Sequence, residues 1–135
     1  MRALQVLLSV AVLFVFGCQS QQLASATPET LAAESDFAVA EAFYHTRAPS
    51  LAQELERRKL IHGEEWKAVY SNEVVRGMTE PAVRASWGPP RRVNVTVTGG
   101  GESRQLCYSP DQYGIHRAFV YIDNGRVSAW QASTR

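Results

Sequence analysis

The stretch GMTEPAVRASWGPP, residues 77–90, holds the clearest helix start and the clearest helix stop in the chain. Thr79 is a capping residue, and Glu80-Pro81 directly after it is typical of a first helical turn. Gly88 suits the left-handed residue just past the C-terminus of the helix, and Pro89-Pro90 prevents the helix from continuing. The sequence therefore predicts a two-turn helix that stops abruptly and releases the chain in a new direction.

The residues after this helix predict an antiparallel meander. Val93, Val95 and Val97 alternate with polar residues, which indicates a half-buried strand. Three glycines at 99–101 form a turn, and the sequence Asp-Asn-Gly at 123–125 is typical of a tight hairpin. The remaining strands are expected at residues 103–108, 118–122 and 127–131.

The residues before position 77 predict helices. Thr27-Pro28-Glu29 is a helix start, and the helix is expected to run to about residue 44. A second helical pattern begins after Pro49 and is expected to end at Gly63, and Trp66, Val69 and Tyr70 form one apolar helical face. Helices followed by strands predict an α+β fold, with N-terminal helices packed on a three- to four-stranded antiparallel meander.

The N-terminus predicts a lipoprotein signal peptide at residues 1–17. Met1-Arg2 is positively charged, and residues 3–16 form an apolar run, interrupted only by Gln5 and Ser9, that is too short to span a bilayer comfortably. Val15-Phe16-Gly17-Cys18 resembles a bacterial lipobox, which implies that Cys18 becomes the acylated first residue of the mature chain. Residues 18–27 are uncharged and polar and are expected to form a flexible tether. Gln19, where an aspartate would imply inner-membrane retention, favours the outer membrane, with the domain facing the periplasm.

Charge divides the rest of the chain into two unlike halves. Residues 19–80 carry ten acidic and six basic side chains, whereas residues 81–135 carry three acidic and seven basic ones. The basic half suits anionic headgroups or an acidic partner, or it keeps a small domain soluble. Arg91, Arg92 and Tyr113 are the candidate partner-binding residues, because arginine and aromatic side chains dominate binding energy. Solvated sheet-edge charges and a loop tip are the alternative interpretation.

Several of these residues together resemble one family. GMTEPAVRASWGPP, QLCY and AFVYIDNGRVSAW are similar to the SmpA/OmlA domain of the BamE-like outer-membrane lipoproteins. The family's pattern falls here on Gly77, Met78, Thr79, Val83, Gly88, Pro89, Tyr108, Asn124 and Gly125. The resemblance covers residues 74–131 and assigns the domain to 64–135, after a helical segment at 28–63. The chain departs from the family at Leu106, where tryptophan is usual.

The resemblance implies a lipid-anchored scaffold or accessory binding module that holds an envelope protein or complex, with the barrel-assembly machinery among the candidates. The family's fold also resembles that of β-lactamase inhibitory proteins, so a periplasmic inhibitor or ligand-binding module is the alternative. An exposed aromatic cluster on the sheet, including Tyr108, Tyr121 or Trp130, together with no binding to envelope complexes would favour that alternative. The predicted compartment excludes nucleic acid as a partner.

No residue set in the sequence predicts an enzyme, a metal site or a cofactor. His45, His62 and His116 lie far apart without a metal-binding spacing. The three glycines at 99–101 lack the Lys-Ser/Thr pair of a phosphate-binding loop. Cys107 is the only thiol besides Cys18, and its apolar neighbours predict a buried strand residue.

Overall fold

The computed structural model describes residues 19–110, 114 and 116–133, and it confirms the α+β arrangement of helices followed by an antiparallel sheet. The helices are α1 Gln19–Ala24, α2 Pro28–Ala33, α3 Asp36–Thr46, α4 Pro49–Arg57, α5 Gly63–Tyr70 and α6 Glu80–Trp87. The strands are β1 Arg92–Thr98, β2 Gly101–Pro110, β3 His116–Asp123 and β4 Arg126–Ala132. The sheet has four strands in the order β1-β2-β3-β4, each antiparallel to the next.

The hydrophobic core lies between the helices and one face of the sheet. Leu106 of β2, Val120 and Ile122 of β3, and Val127 of β4 are buried together with Phe43 of α3 and other residues from the helices. Side chains alternate between the faces of a strand, so one face of the sheet, the helix-side face, packs against the helices. The opposite face is called the outer face below. The core draws on residues from both predicted segments, 28–63 and 64–135.

Helix α6 forms as the sequence predicts. Thr79 Oγ1 accepts a hydrogen bond from the backbone N–H of Ala82, and Pro81 lies in the first turn. Val83 is fully buried on the inner face. Gly88 ends the helix with a positive φ of 84°, but its ψ of −169° lies outside the predicted left-handed helical conformation. This combination is open almost only to glycine.

The last hairpin also agrees with its sequence. Asn124 and Gly125 have φ values of 49° and 83°, and two positive φ values in a two-residue loop characterise the tight turn that Asn-Gly favours. Asn124 Oδ1 accepts a hydrogen bond from the backbone N–H of Glu102 at 3.2 Å, which ties this turn to the start of β2.

The structure corrects three predictions for the helical segment. Part of the predicted flexible tether is helix α1, because its Leu23 is buried against the core and Ser50 donates a hydrogen bond to the carbonyl of Ala24 at 2.9 Å. The helix predicted over residues 28–44 is two helices, since Ser35 caps a new start at Ala38 N–H. Gly63 begins α5 instead of ending α4, because Glu65 folds back onto the backbone N–H of His62.

Two predicted apolar faces are only partly covered. Tyr70 remains 58% exposed on α5, although its ring contacts the rings of Phe43 and Trp66. Strand β1 was expected to be half-buried, but Val95 and Val97 are 51% and 74% exposed. Both valines lie on the helix-side face, because they pair with Arg104 and Glu102 of β2. The helices therefore leave this part of the sheet uncovered.

Candidate binding site

The segment before α6 covers the start of one edge of the sheet, at the first two residues of β4. The backbone N–H of Gly77 donates to the carbonyl of Val127 at 2.9 Å, and that of Val127 donates to the carbonyl of Met78 at 2.8 Å. Arg126 Nη1 also donates to the carbonyl of Gly77 at 2.9 Å, and Thr79 forms a β-bridge with Arg126. The predicted motif residues Gly77, Met78 and Thr79 therefore hold the outer edge of β4 to the helical layer.

The residues that end α6 form a corner with the sheet. The hydroxyl of Tyr108 donates to the carbonyl of Gly88 at 3.1 Å, so two predicted motif residues meet in one contact. Burial raises the pKa of the Tyr108 phenol, which keeps this donor protonated. The ring of Tyr44 lies so close that a Cβ on Gly88 would come within 2.7 Å of it. Pro89, the next residue, is exposed.

A cleft of about 280 Å³ opens beside this corner. Its floor is the helix-side face of the sheet, where Tyr108, Ala118 and Ala132 are neighbours across three strands. Trp87 contacts Tyr108 edge to face at 5.4 Å between ring centroids, and its Nε1 donates to the carbonyl of Asn72 at 2.8 Å. Tyr44 completes the aromatic lining. The small side chains of Ala118 and Ala132 leave room for the cleft, and the aromatic rings enclose it.

The predicted partner-binding arginines lie at the same end of the sheet. Arg91 and Arg92 are exposed, and the backbone N–H of Arg91 donates to the carbonyl of Cys107 at 2.8 Å. Arg92 pairs with Cys107, the residue before Tyr108. Tyr113, the third predicted contact residue, and Cys18, the predicted lipidation site, lie outside the described residues.

The thiol of Cys107 is buried, as the sequence predicts. Burial raises its pKa, while the nearby charge of Arg92 acts in the opposite direction. A thiol with a raised pKa carries little thiolate at neutral pH, so Cys107 is a packing residue rather than a nucleophile.

The outer face of the sheet carries a chain of polar side chains. Asn94 donates to Gln105 at 2.9 Å, Gln105 donates to the hydroxyl of Tyr121 at 3.4 Å, and Tyr121 donates to Gln131 at 3.4 Å. Asn94, Gln105 and Tyr121 border a shallow hollow of about 520 Å³, and Arg104 also lines it. At its rim, the hydroxyls of Ser103 and then Ser128 lower the pKa of the Asp123 carboxyl. The hollow therefore presents amide and hydroxyl groups together with one carboxylate.

The aromatic cluster that would favour an inhibitor does not form. Tyr108 is buried in the corner, and Tyr121 lies on the outer face of the sheet. Trp130 is 42% exposed but lies on the helix-side face, opposite Val120. These three rings therefore face different surroundings and do not make one surface.

A buried ionic cluster joins the helices to β2. Arg84 forms ion pairs with Glu80 at 2.7 Å and with Glu41 at 2.5 Å, and its guanidinium lies 4.0 Å from the ring centre of Phe37. Arg104 binds the other carboxylate oxygen of Glu80 at 2.7 Å. Because each charge is paired with another charge of the cluster, the cluster holds α3, α6 and β2 together.

Sequence reasoning missed Tyr44 as part of the site. Tyr44 lies 44 residues before Gly88, and only the packing of α3 against the end of α6 brings the two together. The polar chain on the outer face had a visible signal in the alternating polar residues of β1. Trp87 lies four residues after Val83, a spacing that places both on one face of α6, and its ring contacts Tyr108.

The described residues provide neither a metal site nor a membrane-spanning helix. They contain no group of three or more His, Cys, Asp or Glu side chains arranged to hold a metal ion. Among the same residues, no helix has the length and apolar character needed to cross a bilayer.

Comparisons of the chain with protein-family models, with curated proteins and with solved structures found no match. The resemblance to the SmpA/OmlA family remains a prediction from the sequence motifs.

Proposed function

We propose that this protein is a lipid-anchored envelope lipoprotein that acts as a non-catalytic scaffold or accessory binding module. In this proposal Cys18 carries the lipid, and the domain faces the periplasm from the outer membrane. The partner is an envelope protein or complex, with the barrel-assembly machinery as the first candidate. The BamE-like form of the α+β fold is part of the same proposal.

The observation that carries the binding role is the aromatic cleft lined by Tyr44, Trp87 and Tyr108, at the end of the sheet where Arg91 and Arg92 are exposed. Partly exposed rings of Tyr44 and Trp87, with exposed arginines at the same end of the sheet, provide the side-chain types that dominate interface energy. The ionisable groups of the buried cluster around Arg84 bind one another, which is what a structural role requires. The lipid anchor rests on the sequence Val15-Phe16-Gly17-Cys18 after the apolar run.

A second candidate function is a periplasmic inhibitor or ligand-binding module, and the hollow on the outer face favours it. Its amides and hydroxyls could accept a polar loop or small ligand by exchanging hydrogen bonds along the chain from Asn94 to Gln131. This candidate predicts binding through the outer face and independently of the lipid.

Fractionation of cells that produce the parent chain or Cys18→Ser tests the anchor. The parent should be found in the outer membrane with the mass of a lipidated chain, and Cys18→Ser should move to the soluble fraction. Crosslinking in native membranes, followed by mass spectrometry, then identifies the partner of the parent. Equal membrane retention and identical processing of both chains would overturn the lipoprotein proposal.

A further inference from the structure

The outer edge of β1 is open. In the part of the chain that the structure describes, β1 pairs with β2 alone and ends the sheet. Its backbone groups on the other side have no strand partner there, and Val95 and Val97 are exposed beside them. An edge of this kind is a template for pairing with another strand.

After Arg92, its first residue, strand β1 also lacks the charges and prolines by which proteins block an open edge. Residues 93–98 read VNVTVT and contain no charge and no proline. The pairing of β1 with β2 runs through all seven residues without a register shift. Uninterrupted, β-branched and uncharged strands are those that pair most readily across an edge.

The sequence of β1 is complementary to itself in one register. If two copies pair antiparallel about Val95, Val93 lies opposite Val97 and Asn94 lies opposite Thr96. Directly opposed residues point to the same face of a sheet, so all the valines meet on the helix-side face and the polar residues meet on the outer face. A twofold axis perpendicular to the sheet produces this arrangement and places the helices of both copies on one side.

We propose that the open edge of β1 binds β1 of a second copy of this chain, antiparallel and centred on Val95, to form one sheet of eight strands. A second copy is the occupant that the sequence of the strand itself matches, valine to valine. Because residues 93–98 are uncharged, this pairing brings no like charges together. The exposed valines then gain cover that the helices of their own copy do not provide.

The area buried by a single pair of seven-residue strands is small compared with the roughly 1,200–2,000 Å² that stable interfaces bury. Association is therefore expected to be weak in dilute solution and strong where copies are concentrated on a membrane. That last step rests on the proposed lipid anchor, whereas the register of pairing does not.

Disulfide crosslinking of the full chain in membranes tests the register. In a Cys107→Ala background, Val95→Cys places a thiol opposite its own copy, at a Cα separation of about 4.5–5.5 Å that suits a disulfide. Thr98→Cys is the matched control, because its two copies would lie six residues apart along the strand, about 20 Å. Mild oxidation should give a dimer with Val95→Cys and none with Thr98→Cys. No dimer, equal yields or a product with a different protein would each overturn the proposal.

The same crosslink in a Cys18→Ser chain separates this proposal from the lipid anchor. If the anchor concentrates the copies, the yield of dimer falls in the Cys18→Ser chain. If the anchor proposal is wrong and the pairing is right, the yield is the same in both chains. If the pairing is wrong, neither chain gives a dimer.

A charge introduced at Val95 provides a second test. Val95→Glu faces Arg104 within its own copy, so the fold should be retained, but in the pair it faces another glutamate. Co-purification of two differently tagged copies should fall at least about fivefold, because like charges directly opposite weaken strand pairing. Mixing Val95→Glu with the parent chain places a valine opposite the glutamate, so it should restore most of the co-purification. Undiminished pairing of Val95→Glu with itself, or no recovery in the mixture, would contradict the register.

Discussion

The two edges of the sheet differ in whether another segment of the chain lies against them. At β4 the segment Gly77–Met78–Thr79 lies along the edge, Arg126 binds its backbone, and a register shift near Tyr121 interrupts the pairing with β3. At β1 a regular strand that carries no charge after Arg92 ends the sheet with two exposed valines. The residues with the strongest sequence signal therefore lie at the closed edge. At the open edge, the alternating valines predicted a half-buried strand.

This difference separates architecture from candidate function. The closed edge, the corner at Gly88 and the buried ionic cluster connect the sheet to the helices through backbone bonds and paired charges. The open edge and the nearby Arg91 and Arg92 have no such role in the described contacts. We therefore expect changes in the first group to alter stability, and changes in the second group to alter association.

The largest effect is expected at the corner that leads from α6 into β1. Gly88→Val places a β-branched residue at φ 84° and directs its Cβ into the ring of Tyr44. Backbone strain and overpacking each cost about 1–3 kcal/mol, so the free energy of unfolding should fall by roughly 2–6 kcal/mol. Chemical denaturation of a fragment covering residues 19–135 measures the loss. Gly99→Val is the control, because a Cβ at Gly99 meets no atom within 4 Å. Equal denaturation midpoints for the two variants would show that the conformation and packing of Gly88 do not contribute to stability.

Acid should weaken the helical layer to which the closed edge is attached. Hydrogen bonds from Arg57 and then Arg58 lower the pKa of the Glu54 carboxyl to about 2, against an ordinary value of 4.5. A lowered pKa in the folded state means that this stabilisation is complete above pH 4.5 and is lost as the pH falls toward 2.

Denaturation of the same fragment between pH 7 and pH 2 checks this dependence. Glu54→Gln should be less stable than the parent at pH 7 and should lose less stability across the acid range. Glu29→Gln, at an exposed position in α2, controls for the change in net charge. An acid profile of Glu54→Gln that runs parallel to that of the parent would show that this ion pair contributes nothing.

The sequence predicted the features whose residues are close together along the chain, and it missed those that depend on contacts between distant residues. The Thr79 cap, the stop at Gly88 and the Asn124-Gly125 turn are local, and all three were predicted correctly. The exposure of Val95 and Val97 depends on how far the helices reach over the sheet, which alternation along one strand does not report. Tyr44 lies in the site only because α3 packs against the end of α6.

Helix α1 shows the same limit in another way. Its residues are polar and were predicted as a tether, and one buried leucine was too weak a signal for a packed helix. The contact between Ser50 and Ala24 that secures it joins segments distant in sequence.

A threonine at each edge allows a direct comparison. Thr79 Oγ1 accepts from Ala82 N–H at 3.2 Å and donates to the carbonyl of Leu60 at 2.7 Å, so Thr79→Ala should cost about 1 kcal/mol of stability. Thr79→Ser keeps the hydroxyl and should recover most of the loss. Thr96 is exposed on β1, and Thr96→Ala should change stability by no more than about 0.5 kcal/mol. Urea denaturation of the three variants measures the difference, and similar losses at Thr79 and Thr96 would make the two edges equivalent.

The smallest effect on stability, with the clearest effect on binding, is expected from Arg91→Ala combined with Arg92→Ala. Both side chains are exposed, so the melting temperature should stay close to that of the parent. Capture of the envelope partner, or of vesicles with anionic lipid, should nevertheless weaken, and more so at low salt, where charges are less screened. Lys67→Ala with Arg76→Ala is the matched control, because it also removes two exposed positive charges. A general effect of net charge would weaken capture equally in both double variants. A specific surface at the start of β1 requires that only the variant without Arg91 and Arg92 loses capture. The two double variants remove the same charge, so a difference between them must come from the position of Arg91 and Arg92 at the end of the sheet that holds the aromatic cleft.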